Sequence, residues 1–142
     1  MTTTQTPPRL DAAGRARHPA LGRTLVGGFF LAMGGVHLGL VAADPQVYRH
    51  FADHGLFPFV RSGWSEIVMA DPSVYGLLLM AGELTMGTLL LVGGRAARVG
   101  WGLVISFQVL LMLFGWWVWA WSLPAIVLLT SLAVRDQERG SS

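Results

Sequence analysis

The chain has 142 residues, 53% hydrophobic and 13% charged, with a formal net charge of +2 and a mean hydropathy of +0.53. That is too apolar for a soluble domain of this length and points to one membrane domain. All ten basic residues are arginines, scattered between apolar runs with no basic face, which argues against a nucleic-acid partner; the lack of cysteine excludes disulfides, thiolate metal sites and thiol redox chemistry.

Residues 1–23 form a polar head rich in Thr, Pro and Arg, expected to be disordered at least to Arg17. The first apolar run, 24–43, is longer than a signal-peptide core despite the small residues at Val41-Ala42-Ala43, and is expected to be span 1. Residues 44–73 are long for a connection. Two stretches of it, 45–54 and 58–69, read as short amphipathic helices whose apolar residues (Val47, Tyr48, Phe51, Phe57, Phe59, Val60, Trp64, Ile67) seek the membrane, so an in-plane segment is expected between helices 1 and 2. Span 2 is expected over 74–92. The apolar stretch 99–134 would reach about 54 Å as a single helix, against a hydrocarbon core of about 30 Å. It is therefore expected to fold back, with Ser122 as cap and Pro124 in the first turn of the last helix. That gives span 3 as 99–120 and a short span 4 as 123–134, extending into the tail 135–142 or meeting a thinned bilayer.

Eight arginines lie in the head, the 93–98 turn and the tail, and two, Arg49 and Arg61, in the 44–73 connection. This asymmetry predicts a multi-pass protein of the plasma membrane with both termini in the cytoplasm. Trp116, Trp117, Trp119 and Trp121 then fall at the outer interface. The expected fold is all-α: a four-transmembrane-helix bundle of residues 24–134 with an amphipathic segment across its outer end.

Glu83 stands near the middle of span 2, roughly 14 Å from either end. A carboxyl there costs about 2.5–3.5 kcal/mol on insertion scales, so it marks a functional-site candidate. It shares a helical stripe with Gly76, Gly87 and Gly94, which turns it toward a neighbouring helix. Two readings stay open: a proton, quinone or ligand site, or an interhelical hydrogen bond. Gln108 in span 3 is at similar depth and is the expected partner of Glu83, or plain glue between spans 2 and 3. His37 in span 1 is a second candidate partner. It faces the bundle if Phe30, Met33, His37 and Val41 pack inward, and lipid if Gly28, Ala32, Gly35 and Gly39 do. Haem is disfavoured, since two axial histidines would need a second buried His. His50 and His54, four residues apart beside Asp53, have the spacing of a zinc or copper clamp but lack a third firm ligand. Arg95 and Arg98 are positive-inside anchors or ligands for an anionic lipid headgroup.

The segment Ala81-Gly82-Glu83, Gly87, Leu89-Leu90-Leu91 and Gly93-Gly94-Arg95, with Gly34-Gly35-Val36-His37 in span 1, resembles the DoxX family of small four-span membrane proteins. The resemblance covers residues 24–134. It implies a four-helix bundle and association with quinone-linked or other membrane redox assemblies. The tryptophan-rich 116–121 segment has no counterpart in the family pattern.

Two functions compete. One is an accessory subunit or a binder of a lipophilic, quinone-type ligand, with Glu83, Gln108 and His37 as the polar groups. The other is a non-catalytic scaffold that joins other membrane subunits or its own copies through glycine faces. A proton-coupled transporter ranks third, because four short helices without internal repeats offer little for alternating access.

Overall fold

The computed structural model describes residues 21–141, so the disorder expected up to Arg17 lies outside the described residues. Six α-helices follow in order: α1 (Leu21–Ala43), α2 (Arg49–His54), α3 (Pro58–Glu66), α4 (Pro72–Val92), α5 (Gly94–Leu111) and α6 (Trp116–Ser141). Four helical stretches, Leu21–Ala43, Pro72–Val92, Gly94–Phe114 and Trp116–Glu138, are long and apolar enough to cross a bilayer, the make-up of a multi-pass membrane protein. No strand occurs among the described residues.

The short helices fill the 44–71 connection, and aspartate–proline pairs open and close it. The Asp44 carboxylate accepts the Gln46 N–H at 2.9 Å, and Asp71 accepts the Val74 N–H at 3.2 Å. Each aspartate caps a helical start whose first residue is the proline, where a missing N–H costs nothing.

The long helices pack as a ring, α1 on α4, α4 on α5, α5 on α6, with α6 returning to α1. The tightest seam is α1 on α4. A Cβ built on Gly87 would lie 2.7 Å from the Gly27 carbonyl oxygen, and one on Gly34 would lie 2.8 Å from Leu84. Gly76 gives the same room to Val41 and the Tyr48 ring. In a membrane, where lipid is as apolar as the side chains, such small-residue seams let dispersion between backbones drive helix pairing. Of the two packings open to α1, the structure has Phe30 buried and Met33, His37 and Val41 partly buried, while Gly28, Ala32, Gly35 and Gly39 face outward.

The apolar core comprises Phe30, Met86, Leu90, Ala97, Trp101, Val104, Leu129 and Ala133. It fills the half of the bundle nearer the arginine-bearing 93–98 turn. The opposite half holds the buried polar groups Glu83, Gln108 and Ser122.

The third turn of the bundle differs from expectation. Span 3 ends earlier than 120, and the fourth helix starts at Trp116 rather than 123, with Pro124 inside it. The chain reverses at Gly115, whose φ of +127° suits glycine, after a 3₁₀ turn over Met112–Phe114. Trp119 Nε1 donates to the Met112 carbonyl at 2.9 Å, satisfying one of the acceptors a helix end leaves free. Ser122 is not a cap: it is fully buried, and its hydroxyl accepts from Gln108. The fourth helix accordingly has 26 residues, running through the expected tail, and its stretch Trp116–Glu138 is long and apolar enough to cross a bilayer. Proline is tolerated inside a membrane helix where neighbouring groups re-satisfy the freed carbonyl.

The α1–α4 seam carries a direct test. Gly87→Val should lower the thermal unfolding midpoint in detergent, at a cost of about 1–3 kcal/mol for overpacking. Gly82→Ala, where an added Cβ meets nothing within 4 Å, should leave the midpoint unchanged or raise it slightly. Equal effects of the two changes would contradict the packing.

Candidate functional site

The α1–α4 seam runs antiparallel, with Gly27 opposite Gly87 and Val41 opposite Gly76. Between those contacts, α1 carries His37 and α4 carries Glu83, so the register brings imidazole and carboxyl together. His37 Nε2 lies 3.6 Å from Glu83 Oε2, and the carboxyl-bearing side chain is only 4% exposed. On the other side of the ring, His37 Nδ1 shares a 2.7 Å hydrogen bond with the Tyr48 hydroxyl. The two rings stack at 5.7 Å between centroids and 16° between planes.

Tyr48 was not among the polar candidates in the sequence, where it reads as one more membrane-seeking aromatic. The 3₁₀ turn Pro45–Tyr48, started by Asp44, folds it back under the end of α1. There it is 1% exposed. Trp64 of α3 donates its indole N–H to the Tyr48 carbonyl at 2.7 Å. Phe51 stacks on the Tyr48 ring, Trp64 and Phe114 pack on Phe51 and on each other in tilted and edge-to-face contacts, and the Leu56 N–H donates to the Leu113 carbonyl at 2.8 Å. The connection is thus tied to the α5–α6 turn, and the pair of helices below it receives a fixed phenol. The signal that could have found Tyr48 is its place four residues past a capping Asp-Pro, directly after the span that carries His37.

Burial pushes the Tyr48 phenol above its usual value of 10.0, and the nearby Glu83 carboxylate pushes in the same direction, since both disfavour a phenolate. The neutral phenol therefore persists at physiological pH as a hydrogen-bond partner for Nδ1. If it donates to Nδ1, the ring keeps its proton on Nε2, facing Glu83. At 3.6 Å that contact is longer than a hydrogen bond. Glu83 Oε2 is in fact buried with no hydrogen-bond partner among the described residues. The cluster is an acid, a base and a phenol in line, with one acceptor oxygen left open at its end.

Gln108 does not join this cluster. Its amide donates to the Ser122 hydroxyl at 2.8 Å, a buried bond between α5 and α6, so the expected Glu83–Gln108 partnership is replaced by two separate pairs. The reason is the seam: Glu83 faces α1, whereas Gln108 faces α6. His50 and His54 are both exposed on α2, and His54 Nδ1 donates to the His50 carbonyl at 2.8 Å. Among the described residues no group of three His, Asp or Glu side chains gathers for a metal. Arg95 and Arg98 are exposed on the first turns of α5. Near them Arg23 pairs with Asp136 at 3.6 Å, and Asp136 accepts the Trp101 indole N–H at 3.1 Å, a second polar cluster the sequence did not reveal.

No family model, curated protein or solved structure matches this chain.

Because its raised pKa comes from burial, Tyr48 titration reads out the cluster. The neutral phenol should contribute stability that is intact below pH 10 and is lost as pH rises through the raised folded-state value. The phenolate absorbance step missing from Tyr48→Phe should lie above pH 10 in the wild type. A step at or below 10 would refute a buried phenol beside a carboxylate.

Proposed function

We propose that this protein is an accessory subunit of a membrane redox assembly, DoxX-like in layout, whose working part is the Glu83–His37–Tyr48 cluster holding a proton for a lipophilic, quinone-type carrier. The observation that carries this reading is the open Glu83 Oε2. A purely structural clamp would close the carboxyl with a hydrogen bond, whereas here an imidazole stands 3.6 Å away, anchored from behind by Tyr48. Leaving a buried acceptor unpaired costs about 1–3 kcal/mol, which favours a group kept for exchange. Acid and base at this distance can pass a proton after a small approach, and beside the contact a ligand hydroxyl could donate to Oε2 or a ligand carbonyl accept from an Nε2 proton.

An apolar groove of about 490 Å³ between α4 and α5, with Leu78, Thr85, Met86 and Phe107 among its walls, supports a place for an isoprenoid or acyl chain. It opens on a different face of α4 from Glu83. In this reading the groove holds the tail, and carrier chemistry meets the cluster at the end closed by the 44–71 connection. Exposed Phe57, Phe59 and Ile67 around α3 support that connection lying on the leaflet. The arginine distribution supports a plasma-membrane protein with both termini cytoplasmic.

A scaffold role is the second reading, favoured by the outward stripe Gly28, Ala32, Gly35 and Gly39 on α1, which a further membrane helix or a second copy of the chain would fit. A transporter is disfavoured: Met86, Leu90 and Val104 fill the bundle between Glu83 and the Arg23–Asp136 pair, with no polar relay among them.

Glu83→Gln keeps the side-chain shape and should change stability by no more than about 1 kcal/mol. Purified in mild detergent, the wild type should carry quinone detectable by absorbance and mass spectrometry, and Glu83→Gln and His37→Leu should lose it while remaining folded. Wild-type protein free of quinone but bound to a stoichiometric partner, equally in both variants, would overturn the proton-site reading in favour of the scaffold.

A further inference from the structure

The end of the bundle away from the 44–71 connection holds a cavity of about 200 Å³ lined by Arg23, Gly94, Arg95, Arg98, Asp136 and Gln137. At about 30 Å³ per water that is room for roughly half a dozen waters, or one small anion. Among the described residues its charges do not balance. Three guanidinium groups face one carboxylate, and that carboxylate is already shared between Arg23 at 3.6 Å and the Trp101 indole at 3.1 Å. Among the described residues no carboxylate lies within 4 Å of Arg95 or Arg98. Arg23 Nε is buried without an acceptor among the described residues, one of two such side-chain atoms.

The backbone adds to the surplus. α5 starts at Gly93-Gly94, with φ of +86° and +59°, no side chain caps it, and its first turn carries no acidic residue. The positive end of an 18-residue helix therefore points into a site that already holds cations, an arrangement that helix electrostatics disfavour unless an anion is present. Gly93 also lies against Arg23: its φ of +86° suits glycine, and the guanidinium packs on its bare face, where a Cβ would lie 3.0 Å from Nη1. The site is thus built from α1, the α4–α5 turn and α6 together.

We propose that this cavity binds a phosphate group, with Arg95 and Arg98 as its two open guanidinium ligands and Arg23, held by Asp136, as the partly buried third. Arginine is suited to it, since its planar fork meets two phosphate oxygens at once. Exposed Val92 and Val99, at 71% and 56%, adjoin Gly93 and Arg98 in the chain, so a phosphate here is met where the apolar stretches of α4 and α5 end, the position of a phospholipid headgroup; a soluble phosphate ester would offer the same chemistry. This site is independent of the Glu83 cluster.

The test uses delipidated full-length protein in detergent, with phosphatidylglycerol, phosphatidylcholine or inorganic phosphate added. Native mass spectrometry should show the wild type retaining phosphatidylglycerol about tenfold or more over phosphatidylcholine, from about 1 kcal/mol for each arginine near an anionic headgroup. The double substitution Arg95→Gln with Arg98→Gln should bring that ratio to near one, while Arg49→Gln at the opposite end should leave it unchanged. Both arginines are exposed, and a gel-filtration profile identical to wild type shows the variant folded. Should inorganic phosphate raise the thermal midpoint of the wild type and not of the double variant, without lipid preference, the site stands with a soluble phosphate as its ligand. No lipid preference and no phosphate effect, or a preference untouched by the double substitution, would overturn it.

Discussion

The contact between Gly27 and Gly87 sets the distance between α1 and α4, and most of what is distinctive in this protein follows from that distance. Neither glycine has ready room for a β-carbon against the other's backbone, so each glycine's α-carbon faces the other's carbonyl oxygen along that stretch. Such proximity does two things at once. It gives the pair dispersion contacts that lipid cannot match, and it brings short polar side chains from both helices within reach of each other. With leucines seated against its glycines, the seam still lets Glu83 and His37 approach to 3.6 Å. The same seam extends to Gly76, whose bare face accepts the Tyr48 ring, so one row of small residues builds both the packing and the site.

The interior is divided along its length. The half toward the arginine-bearing turn is an apolar plug around Leu90, Trp101 and Val104, while the other half holds the Glu83–His37–Tyr48 cluster and the separate Gln108–Ser122 pair. Each polar pair joins two different elements, which reduces the cost of keeping these groups out of water. Gln108 and Ser122 satisfy each other in one buried bond. Glu83 does not reach that state, and the difference between a closed pair and an open one separates glue from a site.

Both ends of the bundle are fastened, by unlike means. At one end, Phe51 stacks on Tyr48 and packs in turn against Trp64 and Phe114 of the α5–α6 turn, with indole N–H groups bonded to backbone carbonyls. At the other, a salt bridge, an indole and two left-handed glycines hold α1, α5 and α6 around a cavity with excess positive charge. An aromatic lock excludes water and holds a neutral phenol. An arginine-rich end attracts anions. The division matches the chemistry of a bundle whose two ends face different surroundings.

The amino-acid sequence by itself determined that the chain carries four apolar membrane-type helices, though it set the fourth too short, because hydropathy decides what can sit in hydrocarbon without help from any contact. It also determined that Glu83 faces protein, since Gly76 and Gly87 lie on its own helical stripe and periodicity is local. What periodicity could not supply was the partner. Gln108 matched Glu83 in depth, yet depth is one coordinate of three, and which helix stands opposite depends on the ring order of the bundle. The last turn escaped for a related reason: Ser122 and Pro124 carry the usual signs of a helix start, whereas Gly115 becomes the turn only because Trp119 and the connection's aromatics are there to fasten it. Tyr48 and Asp136 belong to the same class. Each acquires its role from residues far away in the chain, brought close by packing that no local pattern encodes, so tertiary structure alone decided where the acid, the base and the arginines meet.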